Sequence, residues 1–310
     1  MTGPVLVTGA AGFAGSHLVE HLAGSETVVG LGRSAPTPEI AAVAAWERID
    51  LLDRAAVRDA IRRLQPRAIY HCAGMPHVAQ SWQQTAGTLA GNALATHHLL
   101  DAMSRAGSGA RLLITGTSYV YAPGHGPIAE DDPIAPTGPY ALSKFAQEQL
   151  ALYAGRHDGL DVVVARAFNH TGPRQQPSFV APGVARQIAL IERGALPPIL
   201  MVGNLDATRD LTDVRDVVRA YRALMTNAPA GSVCNVASGT GRTIRSIVDA
   251  LVARAKVPIT IEIDPARFRP HDVPVLIGNP SRLQQLTSWT PAIPFDQTLD
   301  DLLEYWRIHA

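Results

Sequence analysis

The sequence predicts an α/β fold in which a doubly wound parallel sheet is followed by a smaller C-terminal region. Three observations support this fold class. Short, continuously apolar runs alternate with helical patterns over the first 170 residues, a glycine-rich turn joins the first run to the first helix, and proline and glycine become frequent after Phe168. Continuously apolar strands that alternate with helices are typical of a parallel sheet with helices on both faces.

The predicted elements of the first part follow one another in regular order. We expect strands at residues 4–8, 27–31, 68–71, 111–114 and 161–165, the last of which closes the series. Helical patterns intervene at residues 13–22, 53–64, 92–106 and 140–156. After residue 168 the patterns mix irregularly, which suits a smaller region beside the carboxyl ends of the strands, where such sheets bind ligands.

Composition and charge narrow the class of protein. The 310 residues are 46% hydrophobic, and 27 basic residues balance 27 acidic ones, which excludes intrinsic disorder and a nucleic-acid binder that relies on a broad basic field. Cys72 and Cys234 form no CxxC pair, so we expect two reduced, buried thiols. No apolar run reaches the roughly 18 residues of a membrane span. The sequence therefore predicts a cytoplasmic protein without a membrane partner.

A glycine-rich turn follows the first strand and opens the first helix. Gly9, Gly12 and Gly15 have GxxGxxG spacing, and the absence of side chains lets backbone N–H groups approach a pyrophosphate at the helix N-terminus. The predicted contacts with a dinucleotide are therefore Gly9, Gly12, Phe13, Ala14 and Gly15. A tight structural turn is the alternative interpretation.

The end of the second strand indicates which dinucleotide is bound. An acidic residue there would bind an adenosine 2′-hydroxyl, but the sequence has Arg33 and Ser34, and the next carboxylate is Glu39. Arg33 and Ser34 could hold a 2′-phosphate, which favours NADP(H) and leaves NAD possible. The alternative is a surface arginine that contacts nothing. Asp50 could accept a hydrogen bond from the adenine amino group.

Tyr140 and Lys144 lie four residues apart and therefore on one face of a predicted helix. A neighbouring ammonium group favours tyrosinate, so we expect Lys144 to lower the pKa of Tyr140 and make it a proton donor and acceptor. Thr117 follows the strand through residue 114, and its hydroxyl could bind the oxygen of a carbonyl or an alcohol. Together these residues predict a carbonyl–alcohol interconversion.

These residues resemble the extended short-chain dehydrogenase/reductase family over essentially the whole chain. The resemblance implies a Rossmann-like nucleotide-binding domain, Tyr140 as the acid/base, Lys144 as its partner and ribose ligand, and Thr117 as the group that orients the substrate oxygen. It also implies a homodimer formed through helices 92–106 and 140–156. Further cofactor-binding residues that it implies are Leu51, Cys72, Ala73, Gly74 and Asn92.

Segments of the second half resemble a branch of that family that acts on GDP-sugars. Residues 166–173 resemble an RxFNxxGP segment, residues 202–210 resemble a GNL(D/E)AxRD segment, and residues 269–274 resemble an RPxEV segment of GDP-mannose 4,6-dehydratases and related 4-keto reductases. Arg209 and Arg269 would clamp the diphosphate, because the guanidinium fork matches phosphate oxygens. The predicted substrate-binding residues are Ser118, Tyr119, Asn169, Val180, Arg186, Asn204, Arg209, Arg269 and Asp272.

One position departs from the dehydratase pattern. The dehydratases have a glutamate two residues after the catalytic threonine, and this base removes the C5 proton, but the position is Tyr119 here. The nearest acids, Glu130, Asp131 and Asp132, read as a solvated loop. We therefore expect reduction of the C4 ketone of a GDP-4-dehydro-6-deoxyhexose. A dTDP-sugar reductase, a dehydratase or epimerase, and a non-catalytic NADP sensor are the alternatives.

Two further expectations concern metals and domain boundaries. The histidines include no HExxH motif, and neither His97 with His98 nor His71 with His77 has the spacing of a zinc site on a helix, so we expect no metal. We assign residues 1–168, with a return segment at about 203–235, to the NADP-binding domain. Residues of about 169–202 and 236–310 form the predicted nucleotide-sugar-binding domain.

Overall fold

A computed structural model describes residues 3–124, 126–268 and 273–310. The strands in these ranges are β1 (Val5–Thr8), β2 (Val28–Gly32), β3 (Ala45–Arg48), β4 (Ala68–His71), β5 (Arg111–Thr117), β6 (Val162–Ala167), β7 (Asn169–Thr171), β8 (Ile199–Val202), β9 (Thr208–Asp213), β10 (Val233–Val236), β11 (Gly241–Thr243), β12 (Thr260–Ile263) and β13 (Val275–Leu276).

The helices in the same ranges are α1 (Phe13–Ala23), α2 (Pro38–Ala41), α3 (Arg54–Leu64), α4 (Val78–Ser81), α5 (Thr85–Leu89), α6 (Ala95–Arg105), α7 (Pro139–Asp158), α8 (Val180–Glu192), α9 (Val214–Asn227), α10 (Ile244–Val252), α11 (Ser281–Thr287) and α12 (Phe295–His309). A π-helical turn, Ala90–Leu94, joins α5 to α6. None of these helices is long and apolar enough to cross a membrane.

The central sheet confirms the predicted α/β fold. Its strands are all parallel, in the order β3-β2-β1-β4-β5-β6-β10. One apolar layer lies between the sheet and α1 and α9, and a second lies between the opposite face and α3, α6 and α7. Because both faces are covered, strands such as β1 are buried at every residue.

The central sheet continues beyond the predicted strand at residues 161–165. β10 adds a seventh strand beside β6, with Val233 opposite Val164. The strand contains Asn235, a polar residue that makes it hard to recognise in the sequence. The Asn235 side chain accepts a hydrogen bond from Tyr121 Oη at 2.6 Å and donates one to the carbonyl of Ile128 at 2.8 Å. These bonds offset the cost of burying an amide in the sheet.

The acidic segment of Glu130, Asp131 and Asp132, which was expected to be a solvated loop, is solvated only in part. The Glu130 side chain is only 4% exposed, and its Oε1 accepts a hydrogen bond from the backbone N–H of Asn235 at 2.7 Å. Asp131 and Asp132 are exposed as expected, and Asp131 pairs with Arg282 at 2.6 Å. Glu130 therefore fastens its loop to the edge strand β10.

The C-terminal region forms a second apolar core beside the sheet. Strand β9 pairs with β7, β11 and β13, and β8 pairs with β12. Helices α8, α10 and α12 pack together around this core. Within the predicted return segment, α9 and β10 join the central sheet, whereas β9 belongs to the smaller sheet. This region lies next to the carboxyl ends of the central strands and encloses a cavity of about 350 Å³.

Candidate active site

The glycine turn after β1 is packed too tightly for side chains. Gly9 has a φ of +65°, and a Cβ there would lie 2.7 Å from the Ala73 backbone. A Cβ on Gly15 would lie 2.1 Å from the Gly9 carbonyl oxygen. Gly12 precedes α1, and no side chain caps the helix N-terminus. The turn therefore presents uncapped backbone N–H groups, which fits the pyrophosphate of a dinucleotide.

The residues after β2 fit the adenosine end of a phosphorylated dinucleotide. Arg33 and Ser34 are exposed, and β3 holds their backbone because Arg48 Nε donates to the Arg33 carbonyl at 2.9 Å and Trp46 Nε1 donates to the Ser34 carbonyl at 3.1 Å. Asp50 is exposed and accepts a hydrogen bond from the Leu52 N–H at 3.0 Å. The position that would recognise an unphosphorylated ribose thus carries a cation.

Asn92 ties the loop after β4 to helix α7. Its Oδ1 accepts from the Met75 N–H at 2.7 Å, and its Nδ2 donates to Ser143 Oγ at 2.8 Å. A Cβ on Gly74 would lie 2.6 Å from Asn92 Oδ1. The π-helical turn and the missing side chain at Gly74 therefore bring residues 72–75 against the helix that carries Tyr140 and Lys144.

Thr117 and Tyr140 meet at the end of β5, and Lys144 follows Tyr140 by one turn of α7. Burial raises the pKa of Tyr140 to about 12, and the hydrogen bond with the Thr117 side chain opposes that increase. The Tyr140 N–H donates to Ser81 Oγ at 3.2 Å, and the Tyr140 ring packs edge-on against Tyr119 at 6.2 Å. The hydroxyls of Thr117 and Tyr140 are thus placed to contact one substrate oxygen.

Lys144 differs from the expectation. Burial lowers its pKa to about 8, and its ammonium donates a hydrogen bond to Gln147 Oε1. The expected lowering of the Tyr140 pKa by Lys144 is not seen in this structure, where burial dominates that pKa. Gln147 was not among the predicted site residues, although its i, i+3 spacing from Lys144 places both on one helical face.

The cavity contains several of the predicted substrate-binding residues. Tyr119, Asn169, Val180, Asn204 and Arg209 line it. The Oδ1 atom of Asn169 is buried without a hydrogen-bond partner among the described residues. Further lining residues that sequence reasoning missed are His170, Gln175, Phe179, Gln187, Met201 and Arg267. No carboxylate belongs to this lining within residues 3–124, 126–268 and 273–310.

Two predicted substrate-binding residues lie elsewhere. Arg186 is exposed and its guanidinium lies 6.0 Å from the Trp306 ring, whereas the next residue, Gln187, reaches the cavity and accepts from the Met201 N–H at 3.1 Å. One residue along a helix turns the side chain by about 100°, so Arg186 and Gln187 leave α8 in different directions. Ser118 is buried behind the cavity lining.

The remaining predicted positions complete this account. Arg269 and Asp272 lie outside the described residues. Phe13 stacks on His170 at 5.6 Å, and Leu51 is buried while its carbonyl accepts from His98 Nδ1 at 2.9 Å. Within the described part of the chain, no group of His, Cys, Asp and Glu could hold a metal ion.

The burial of two histidines predicts that the stability of the fold depends on pH. Burial lowers the pKa of His71 to about 3 and that of His17 to about 4, both from 6.5. The unfolded chain therefore binds more protons, so the free energy of unfolding should fall as the pH decreases below about 6.5, by about 1.4 kcal/mol per pH unit for each histidine. The loss should continue to the folded pKa values, and urea unfolding at a series of pH values measures it.

The variant His17→Gln isolates one of these contributions. His17 Nε2 donates to the Pro173 carbonyl at 3.0 Å, and a glutamine amide can replace that donor without titrating. We expect the pH dependence of this variant to be shallower than that of the wild type by about 1.4 kcal/mol per pH unit between pH 6 and about 4.5. Equal slopes would show that His17 is not held neutral by burial.

The chain matches known proteins over nearly its whole length. The family described as GDP-mannose 4,6 dehydratase matches residues 6–302. A GDP-6-deoxy-D-mannose reductase of Pseudomonas aeruginosa is 38% identical over 99% of this chain and 98% of that protein. A GDP-mannose 4,6-dehydratase of Vibrio cholerae is 28% identical over 84% of this chain and 79% of that protein.

Solved structures give a similar result. The structure of RMD from Pseudomonas aeruginosa complexed with NADPH superimposes with a TM-score of 0.87 at 35% identity, covering 99% of this chain and 100% of that chain. The Thermus thermophilus UDP-glucose 4-epimerase in complex with NAD has a TM-score of 0.87 at 29% identity, covering 98% of both chains. The fold of these proteins is therefore shared over the whole chain.

Proposed function

The chain belongs to the GDP-mannose 4,6-dehydratase family, and from that premise we propose that it reduces the C4 ketone of a GDP-4-dehydro-6-deoxyhexose with NADPH. The proposed product from GDP-4-dehydro-6-deoxy-D-mannose is GDP-D-rhamnose or its C4 epimer. The relative with 38% identity is a reductase of this class, and the solved structure with 35% identity contains NADPH. The chain is accordingly a nucleotide-sugar oxidoreductase.

One observation favours reduction over elimination. Tyr119 occupies the position of the dehydratase base and packs edge-on against Tyr140, and the described cavity lining contains no carboxylate. Removing a C5 proton requires a base close to the sugar, and Tyr119 stands where the dehydratases have a carboxylate for this step. The described part of the cavity lining can therefore hold the sugar but lacks the carboxylate that an eliminating enzyme uses.

The site residues divide between cofactor and substrate. The N-terminus of α1 and the glycine turn would hold the pyrophosphate, and Arg33 would hold the 2′-phosphate. When bound, NADPH supplies the hydride that is transferred to C4 of the sugar. Thr117 and Tyr140 orient the ketone oxygen by hydrogen bonding, and the Tyr140 hydroxyl gives it a proton, so that the C=O double bond becomes a C–OH single bond. Asn169, Asn204 and Arg209 would bind the sugar diphosphate.

A direct test measures NADPH oxidation during the conversion of two candidate substrates. We expect one NADPH to be oxidised per molecule of GDP-4-dehydro-6-deoxymannose converted, and a lower kcat/KM with the dTDP-linked 4-ketosugar. An epimerase would convert its substrate without net NADPH oxidation. A dehydratase would convert GDP-mannose itself. Either of these last two results would refute the proposed reaction.

Arg33 carries the proposed preference for NADPH. Removing a charged hydrogen bond costs about 1.5–3 kcal/mol, so Arg33→Ala should weaken NADPH binding by about 10- to 100-fold and leave NADH binding unchanged. Fluorescence titration with each cofactor measures both affinities. Arg62→Ala is the matched control, because Arg62 is an exposed arginine that pairs with Asp59 at 2.8 Å. Equal losses of NADPH and NADH affinity in the Arg33 variant would contradict this assignment.

The proposal extends to assembly, location and domains. Leu94, Leu142 and Tyr153 are large apolar residues within residues 92–106 and 140–156, and each is about half exposed, which supports a homodimer formed through these two helical segments. We place the enzyme in the cytoplasm as a biosynthetic reductase. Residues 1–168 and about 203–235 would bind NADPH, while about 169–202 and 236–310 would bind the GDP-sugar. Sedimentation of the protein and of a Leu142→Glu variant tests the dimer.

A further inference from the structure

A chain of buried hydrogen bonds begins at Lys144, and none of its members lines the cavity. The Lys144 ammonium donates to Gln147 Oε1, and Gln147 Nε2 donates to Thr96 Oγ1 at 2.8 Å. His71 Nε2 lies 2.8 Å from the same Thr96 oxygen, and His71 Nδ1 lies 2.7 Å from Thr8 Oγ1. The other four members of this hydrogen-bond chain have no exposed surface; they are Gln147, Thr96, His71 and Thr8. The chain connects α7, α6, β4 and β1.

The direction of every hydrogen bond in the chain is determined. An ammonium group has no acceptor, so the carbonyl of the Gln147 amide must face Lys144 and its NH₂ must face Thr96. The Thr96 hydroxyl donates its only proton to the Asn92 carbonyl at 2.6 Å, so it accepts from both Gln147 and His71. His71 is therefore the neutral tautomer with its proton on Nε2, and Thr8 donates to Nδ1. The Gln147 amide cannot flip without leaving two donors facing each other.

Among the described residues, no carboxylate forms an ion pair with Lys144. Glu148, the carboxylate four residues after Lys144, instead accepts two hydrogen bonds from the Arg166 guanidinium, at 2.7 and 2.9 Å. Burial raises the pKa of Cys72 to about 12, so this neighbour remains a thiol, and the burial of His71 keeps that ring neutral. The ammonium charge is therefore held by a neutral acceptor in a buried site and remains available to a ligand.

We propose that Gln147 is the positioning residue for Lys144, with its amide fixed in turn by Thr96 and His71. Gln147 holds the ammonium in its charged form at the bottom of the site without neutralising it, as a carboxylate at the same position would. In the proposed reductase, on which this role in turnover rests, the retained charge would bind the hydroxyls of the cofactor ribose. The link from Thr8 to Lys144 also joins the glycine turn to the helix that carries Tyr140.

The lysine content of the chain makes this role directly measurable. Lys144 and Lys256 are the only lysines among its 27 basic residues. Protein labelled with ¹³C at lysine Cε therefore gives two NMR signals, and the Lys256→Arg variant shows which signal belongs to Lys144. The Lys144 signal should titrate near pH 8 in the protein without ligands. Gln147→Met removes the acceptor and should lower this midpoint by about one to two pH units, whereas Gln147→Glu adds a charge and should raise it.

The opposite directions of these shifts distinguish positioning from a general structural role. Gln285→Met and Gln285→Glu make the same changes on an exposed residue of α11 and should leave the Lys144 midpoint in place. If Gln147→Met fails to fold, Thr96→Val breaks the chain one step further on and should lower the midpoint, while Thr96→Ser retains the hydroxyl and should restore it. A midpoint that stays unchanged, or moves in one direction in both Gln147 variants, would overturn the proposal.

Kinetics then separate this proposal from the proposed function. If the chain is a reductase, the alkaline limb of its kcat/KM profile should move in the same direction as the Lys144 midpoint in each Gln147 variant. If the NMR shifts occur but no 4-ketosugar is reduced, the positioning of Lys144 is confirmed and the proposed reaction is wrong. If reduction occurs but the two NMR shifts do not, the proposed function stands and the role of Gln147 is wrong.

Discussion

Tyr140→Phe should lower kcat for ketone reduction by about 10²- to 10⁴-fold, the range that general acid catalysis contributes. The variant removes one hydroxyl, the one whose pKa burial raises to about 12 and which shares a hydrogen bond with Thr117. A phenol with so high a pKa is fully protonated at neutral pH, so it is ready to donate its proton to the ketone oxygen. Steady-state NADPH oxidation with a GDP-4-ketosugar measures the loss.

The same variant should leave cofactor binding and folding nearly intact. The ring contact with Tyr119 at 6.2 Å and the hydrogen bond from the Tyr140 N–H to Ser81 do not depend on the hydroxyl. We therefore expect an NADPH dissociation constant within about twofold of the wild type, since the ring and the backbone stay in place. Tyr153→Phe is the control, because Tyr153 is an exposed tyrosine of the same helix. Wild-type turnover by Tyr140→Phe would remove this residue from the mechanism.

Gly15→Ala should weaken NADPH binding by about 100-fold or more. A Cβ at this position would lie 2.1 Å from the Gly9 carbonyl oxygen, a backbone atom that cannot move without opening the turn. A displacement of about 1 Å at a binding site is enough to cost about 10²-fold. Fluorescence titration with NADPH measures this loss without any sugar substrate, so the result does not depend on which ketosugar the enzyme uses.

Gly24→Ala provides the matched control for that variant. Gly24 ends the same helix with a φ of −66°, and a Cβ there would meet no atom within 4 Å. It should retain wild-type NADPH affinity and gain a few tenths of a kcal/mol in stability. Equal affinities in the Gly15 and Gly24 variants would show that the turn does not hold the pyrophosphate.

The parts of the fold that sequence reasoning could predict are those with strong local signals. The apolar runs of β1 and β4 are continuous and short, as buried strands are. Asp53 begins α3, where its carboxylate accepts hydrogen bonds from the N–H groups of Ala55 and Ala56 at 3.1 Å. Tyr140 and Lys144 were recognisable because a helix fixes their relative position. Local sequence was therefore enough to predict β1, β4, α3 and the shared helical face of Tyr140 and Lys144.

The features that escaped prediction depend on distant partners. Asn235 lies in a buried strand only because Tyr121 and the Ile128 backbone satisfy its amide. Gln147 gains a role only from Thr96, which lies 51 residues away in sequence. Whether Arg186 or Gln187 faces the cavity depends on the rotation of α8 about its axis, which packing against distant residues determines. Tertiary contacts of this kind leave no periodic pattern in a single sequence.

The most direct test of the proposed reaction is isotope transfer from deuterated NADPH to GDP-4-dehydro-6-deoxymannose. The proposed reduction predicts one deuterium at C4 of the product sugar for each NADPH oxidised, with none at C5. Product without deuterium at C4, or conversion without NADPH oxidation, would contradict the proposal that this chain is a nucleotide-sugar 4-ketoreductase.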